Sequence, residues 1–355
     1  MLLLRAQPVS NASELKAALQ SAISLEHSTI PPYLTAYYTL KGNSPSVTYA
    51  RTVIRNVIVE EMLHMTLAAN ILNAIGGTPK FADPDFIPKY PGPLPMGIGE
   101  NDGPAPGTPL IVELKRYSRE TVKTVFMAIE EPEKPFDIPN ISAFGLGAGP
   151  RQSFQTIGQF YASIKEQIRQ EGDVLFKNAD PDRQVRGWFK PNEEPEIKDV
   201  ASALSAIDII VEQGEGTPKR PLDFQDDFPH FYRFQELYLG KRLVRDPSSE
   251  LGVAYDPLQP ITIDDRADVI QMVDNPGELD LTAPANLFVR RLSNECDRVY
   301  TKLLRALETA FNGTPKKMSD ALSTMFELKT VAEELLEQPL PGGGFAGPRF
   351  RYMLD

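Results

Sequence analysis

The stretch V57-I-V-E-E-M-L-H-M-T-L-A-A-N-I-L-N-A-I-G76 decides how this chain is read. Its apolar residues recur at the three- and four-residue spacing of a buried helix face, yet Glu61 and His64 sit on that face. Positions three apart on a helix lie about 60° from one another around the axis, so the two side chains point the same way. Ala50, Ile54, Val57, Ala68, Ile71 and Ile75 share their stripe. A carboxylate and an imidazole placed in a helical core need a partner, because burying an unpaired charge is costly. A bound metal ion supplies one.

Upstream, residues 12–41 read as a first helix, capped by Asn11 or Ser13. Leu15, Leu19, Ala22, Glu26, Ile30, Tyr33 and Tyr37 form one stripe, on which Glu26 is the single charge. Pro31 and Pro32 interrupt the pattern and predict a kink or unwinding just after Glu26, with freed carbonyls beside it. Gly42-Asn43-Ser44-Pro45 stops this helix, and residues 46–75 form the second. So short a connection implies an antiparallel hairpin, which sets Glu26 opposite Glu61 and His64.

Downstream, residues 77–117 are rich in Pro and Gly and carry no periodicity. A short helix is predicted at 118–131, with Val122, Val125, Phe126 and Ile129 apolar. The loop at 132–150 contains G145-L-G-A-G149, which lacks the strand–turn–helix context of a phosphate loop. Helices follow at 151–171, at 199–212 and from near Pro229, with a loop at 173–198 that holds Trp188. Short β-like pieces occur at 252–255 and 261–263, and two amphipathic helices at 285–311 and 318–337 read as a packing layer. The expected organisation is an all-α bundle over 1–247 with loop insertions at 77–117, 132–150 and 173–198. A helical extension, 248–355, packs on it.

Among the 355 residues, 41% are hydrophobic, enough for one large or two ordinary domains. A net charge of −11 argues against nucleic acid or an anionic membrane surface as a partner. No apolar run reaches the roughly 18 residues of a membrane span, and MLLLRAQPVS is too short in apolar residues for a signal peptide. Cys296 is the only cysteine, so no internal disulfide forms; a cytoplasmic protein is expected.

The chemistry centres on three histidines: His27, His64 and His230. Two of them follow a carboxylate by three residues, Glu61 before His64 and Asp227 before His230; the third directly follows Glu26. Glu26, Glu61, His64 and His230 are the expected ligands of a divalent metal. Glu212, beside the chain reversal Gln213-Gly214-Glu215-Gly216, completes the set, with Asp227 as a further candidate. Carboxylate and imidazole ligands suit iron, or manganese. His27 lies about 100° from Glu26 around the helix and faces a neighbouring element. Glu60 is turned away in the same sense and reads as an exposed charge. Without metal, the same residues read as a buried Glu–His hydrogen bond, a salt bridge from Glu26 to Arg55, and a core histidine beside Arg233.

The pieces L25-E-H-S-T-I-P-P-Y-L-T-A36, V59-E-E-M-L-H-M-T-L-A-A-N-I-L-N-A-I-G-G77, I210-V-E-Q-G-E-G216 and H230-F-Y-R-F-Q-E236 resemble the ferritin-like domain family that includes the iminophenyl-pyruvate dimer synthase domain. That domain occurs in large enzymes that couple oxidised tryptophan units in violacein and rebeccamycin-type pathways. The resemblance spans residues from about 12 to 240. It implies a ferritin-like helical bundle, a place in secondary metabolism, and Glu26, Glu61, His64, Glu212 and His230 as metal positions. One departure stands out. Where the third helix of such bundles presents a glutamate, this chain has Gln159, and an amide brings no charge to balance a cation.

The leading expectation is a metal-dependent oxidoreductase or oxidative coupling enzyme acting on an amino-acid-derived imine or another natural-product intermediate. Arg55 or Arg233 would orient a carboxylate. A metal-free coupling enzyme with His64 or His230 as acid or base is the alternative, and an iron-storage or scaffold protein comes after it. The expected partners are a small-molecule substrate and either a second copy in a homodimer or another enzyme of a biosynthetic pathway.

Overall fold

Asn11 opens the bundle: its side chain accepts the Ser13 and Glu14 amides at 3.0 Å each, starting helix α1 (Ala12–Thr39). The computed structural model describes residues 11–99, 103, 108–132, 136, 138, 157–216 and 220–354. The glycine-rich 145–149 and the first part of the helix expected at 151–171 lie outside them. Ser44 caps the Val47 amide and Pro45 occupies the first turn of α2 (Pro45–Ala74). Lys16 and Gln20, near the start of α1, donate to the Gly76 and Lys80 carbonyls just past the end of α2, so the pair is antiparallel.

The unwinding expected after Glu26 does not occur, and α1 continues through Pro31 and Pro32. The two prolines orphan the carbonyls of His27 and Ser28. The second of these is satisfied from outside the helix, where the Tyr90 hydroxyl donates to it at 2.7 Å.

A short helix at 119–129, α3, joins α turns Arg119–Thr121 and Met127–Ile129 through a π-helical stretch, Val122–Phe126. Then come α4 (Ile157–Glu171), α5 (Val200–Glu215) and α6 (His230–Leu239). Helix α1 packs on α2 and α4, and α5 packs on those same two, which closes a four-helix ring. Helix α6 packs on α2 and α3. Tyr33, Phe126 and Phe234 meet where α1, α3 and α6 converge, with ring centroids 4.7–5.1 Å apart.

Among the described residues, two strand pairs lie outside the bundle. Gly92–Pro93 (β1) pairs with Ile111–Val112 (β2) in a region expected to be pure loop. Lys241–Arg245 (β3) pairs antiparallel with Val253–Pro260 (β4), so the division expected at 247/248 falls inside a hairpin. The strand piece expected at 261–263 is irregular. Helices α7 (Leu287–Phe311) and α8 (Met318–Leu336) pack on each other, α7 against α2 and α8 against α1. No helix among the described residues is long and apolar enough to cross a membrane.

Candidate metal centre

Three carboxylates and two imidazoles meet inside the bundle. Glu26 comes from α1, Glu61 and His64 from α2, Glu130 from the residue that ends α3, and His230 is the first residue of α6. All five are buried. Glu26, Glu61 and His64 each place one ligand atom within 4.8 Å of the others, and so do Glu61, Glu130 and His230. Glu61 belongs to both groups. His64 Nδ1 lies 3.7 Å from Glu26 and 3.8 Å from Glu61, while His230 Nδ1 lies 2.8 Å from Glu61 and 3.4 Å from Glu130.

A second layer of side chains orients the first. His64 Nε2 donates to the Gln213 amide oxygen at 2.9 Å. His230 Nε2 donates to Glu60 at 2.9 Å, and Arg233 holds Glu60 from the other side, also at 2.9 Å. Both rings thus commit Nε2–H outward and turn Nδ1 toward the carboxylates, the arrangement that fixes a metal-ligating tautomer. Tyr161 donates to Glu26, Tyr33 donates to Glu130, and Thr29 donates to Glu61 at 3.1 Å.

So many buried carboxylates must be compensated. Burial works against charge on His230, but the nearby carboxylates of Glu130, Glu60 and Glu61 push its pKa well above the ordinary value. His64 is raised too, since its close approach to Glu26 and the charges of Glu61 and Glu26 outweigh its burial. Burial, reinforced by the charge of Glu130, lifts Glu61 above the usual carboxylate range. Burial also opposes charge on Glu26 and Glu60, yet His64 holds the first below its ordinary value, and His230 with Arg233 brings the second down to about 2. The cluster balances itself with imidazolium charge, and a divalent cation supplies the same balance. His230 Nδ1 carries a further sign: it sits 2.8 Å from Glu61 but off the hydrogen-bonding direction, a buried nitrogen with no aligned partner. Carboxylate oxygens and imidazole nitrogens gathered within 4.8 Å of one another fit a cation of the iron or manganese type.

The structure brings Glu26, Glu61, His64 and His230 together and leaves the other expected residues outside. Helix α5 continues past the expected end at 212, through Gly214 to Glu215, and stops at Gly216 with φ 86°. Gln213 therefore takes the inward position, on the buried stripe of Ala203, Ala206, Ile207 and Ile210. Glu212 is only half-buried, beside Asp208 and Asp223, and burial with those two charges raises its pKa. Asp227 is exposed. Because α6 begins only at His230, the three-residue spacing spans a turn rather than a helix face; the Asp227 amide donates to Asp223 at 2.8 Å. Gln159 is half-buried near the start of α4, about 160° around the axis from Tyr161, the residue that α4 turns to Glu26.

The missing carboxylate is Glu130. It follows Phe126 by four residues and Val122 by eight, so a charge on an apolar stripe, the signal that exposes Glu61, is present there as well. Glu60 is no free surface charge but the partner of His230. His27 packs against Phe86 and Tyr300, away from the cluster, and burial pushes it down to about 3.

The class follows: the chain belongs to the Ferritin-like family, whose sequence model matches residues 19–239. Among particular proteins, it is similar to dichlorochromopyrrolate synthase of Lentzea aerocolonigenes, with 23% identity over 389 residues covering 97% of this chain and 36% of that protein. The chain thus spans about a third of that relative's length. It also resembles a ferritin like protein from Caulobacter vibrioides, solved at 1.95 Å resolution, with a TM-score of 0.62 and 23% identity over 98% of this chain and 100% of that one. That likeness shows the fold.

Proposed function

We propose that the cluster is a dinuclear iron or manganese centre of an oxidoreductase or oxidative coupling enzyme. Its substrate class is an amino-acid-derived imine or a related natural-product intermediate. The observation that carries this reading is Glu61, buried and shared between two carboxylate–imidazole pairs. Glu26, Glu61 and His64 would hold one ion, and Glu61, Glu130 and His230 the other. Bound there, the metal would supply one-electron oxidation chemistry. The substrate class rests on the resemblance to synthases that join oxidised tryptophan units and on the similarity to dichlorochromopyrrolate synthase.

The chain's own residues prepare the site. Tyr161 and Tyr33 each occupy one oxygen of a terminal carboxylate and aim the other inward. Gln213 and Glu60 lock the two rings. With both nitrogens engaged, His64 and His230 serve as ligands in this reading, not as acid or base. Burial of all five residues excludes bulk water. An open cavity of about 850 Å³ adjoins the site, lined by Arg55, Glu60, Arg233, Tyr49, Lys190 and Asp227 among others. Glu60 links the two, because it accepts from His230 and also lines the cavity. A substrate carboxylate entering there meets the guanidinium of Arg55.

The test is metal analysis of protein expressed with iron. Wild type is expected to retain metal in a ratio approaching two per chain, and Glu61→Ala and His64→Ala to lose most of it. Equal metal content in all three proteins overturns the reading.

A further inference from the structure

Two cavities meet along one face of α2. Arg55, Val59, Met62 and Thr66 lie within about 60° of one another around its axis, on the side turned away from Glu61 and His64. Arg55 borders the open cavity of about 850 Å³, Met62 and Thr66 border a second of about 320 Å³, and Val59 borders both. Trp188 and Phe189 complete the shared boundary. Val59 is 44% and Trp188 41% exposed, so this boundary presents apolar surface to solvent. The segment that carries Trp188 is fixed. Asn70 exchanges hydrogen bonds with the Val185 amide and carbonyl at 2.9 and 2.8 Å, and Glu194 accepts the Trp188 amide at 3.1 Å.

The two spaces differ in chemistry. The smaller lies between α1, α2, α7 and α8, and among the described residues no carboxylate, lysine or arginine lines it. Thr66 and Tyr300 border it with their hydroxyls engaged inside the protein: Thr66 donates to the Met62 carbonyl at 2.8 Å, and Tyr300 lies 2.9 Å from His27 Nε2. Tyr38 adds a phenol at the wall. Four methionines and six leucines make up nearly half of the lining, and such side chains suit a flexible guest better than a rigid outline. The open cavity holds the charge. There Arg233 is paired with Glu60 at 2.9 Å, Lys190 with Glu193 at 3.1 Å, and Glu236 accepts from Tyr49 at 3.0 Å. Asp227 lies within reach of the Lys190 charge. Among the described residues the Arg55 guanidinium alone of these cations has no partner.

We infer that the two cavities form one site for an amphipathic monocarboxylate. The carboxylate pairs with Arg55 in the open cavity, and an alkyl or acyl chain crosses Val59 and fills the apolar space. Arg55 and Thr66 are about 16 Å apart along the helix axis. A space of about 320 Å³, filled to the density of a protein interior, takes a chain of about ten carbons. The inference rests on the open cavity as the substrate's entrance, as in the proposed function, and takes nothing from the metal. It narrows the natural-product intermediate to one with a long aliphatic portion, whose head stays in the cavity that Glu60 borders. It also gives the C-terminal helices a task, because α7 and α8 wall the chain's compartment.

The probes are the straight-chain acids from hexanoate to tetradecanoate, with decan-1-ol as the uncharged control. In calorimetric titration of the full chain, decanoate is expected to bind saturably and to change the emission of Trp188, the chain's single tryptophan. Each added pair of methylenes tightens binding about tenfold, up to about twelve carbons, where the space is full and the gain stops. Arg55→Gln weakens decanoate about fivefold and leaves decan-1-ol unchanged. Leu322→Phe and Met325→Phe, at half-buried wall positions on α8, stop the gain at shorter chains. Glu61→Ala, titrated in parallel, is expected to bind decanoate as wild type does. Failure of the metal reading then shows in metal content, and failure of this one in binding. No saturable binding, a gain that continues to tetradecanoate, an unchanged chain-length limit in both filled variants, or decanoate bound by Arg55→Gln as tightly as by wild type overturns the inference.

Discussion

Glu61 shows how little separates a candidate ligand from a core residue: its stripe partners are apolar, and convergence with His64 and His230 is what marks it out. The same logic separates Glu130 from Glu212. Glu130→Ala is expected to lose roughly half of the bound metal, since it empties one terminal position, whereas Glu212→Ala leaves metal content unchanged. Mass-spectrometric metal analysis of the two variants decides; the opposite ranking would return Glu212 to the site. Glu26, Glu61, His64 and His230 are legible in the sequence because each interrupts an apolar pattern or repeats a carboxylate–histidine spacing. Gln213 is not, because the helix is expected to end at 212, and only its continuation to Glu215 places Gln213, about 100° around the axis from Glu212, on the inward face. Glu130 escapes because the family pattern directs attention to the helix of Gln159 for its carboxylate.

At the scale of elements, α5 is held at its start by Asp199. This residue accepts the Ser202 amide at 2.8 Å while Ser202 Oγ accepts the Asp199 amide at 3.1 Å, a reciprocal capping box. Asp199→Ala is expected to cost about 1 kcal/mol in urea unfolding. A loss within error would mean that tertiary packing alone fixes the helix. The long helices are legible because their buried stripes run over many turns. The strands are not, for physical reasons. Strands β1 and β2 are two residues each, too short for any alternation, and in β3 only Leu243 of five residues is buried. The double proline misleads in the other direction. Helix α1 survives it because the surrounding fold supplies a donor, Tyr90, 62 positions from the Ser28 carbonyl in the chain, which no local pattern contains.

At the scale of the whole molecule, stability should depend on pH through Glu236. It joins α2, through Tyr49 at 3.0 Å, to the Leu243 amide of β3, and burial raises its carboxyl to about 7. In the unfolded chain it titrates near the ordinary 4.5, so between those values the native state holds the extra proton. Its contribution is full below about 4.5 and is lost as pH rises through about 7, amounting to about 3 kcal/mol at most. Glu236→Gln is expected to flatten that slope in denaturant melts taken from pH 5 to 8; an equally steep slope in the variant would remove Glu236 as its source.

The π-helical turn before Glu130 bears on something else, the lengths this chain can take. A π turn is wound wider than an α turn and takes up one extra residue without rotating the backbone beyond it. Lys123 is exposed within it. Its deletion would let the turn tighten to α form with Glu130 still facing inward. One residue removed between Glu61 and His64 would instead swing the two apart by about 100°. Slack in the backbone is thus unevenly distributed around the cluster: α3 can lose a residue and keep its carboxylate facing inward, and α2 cannot.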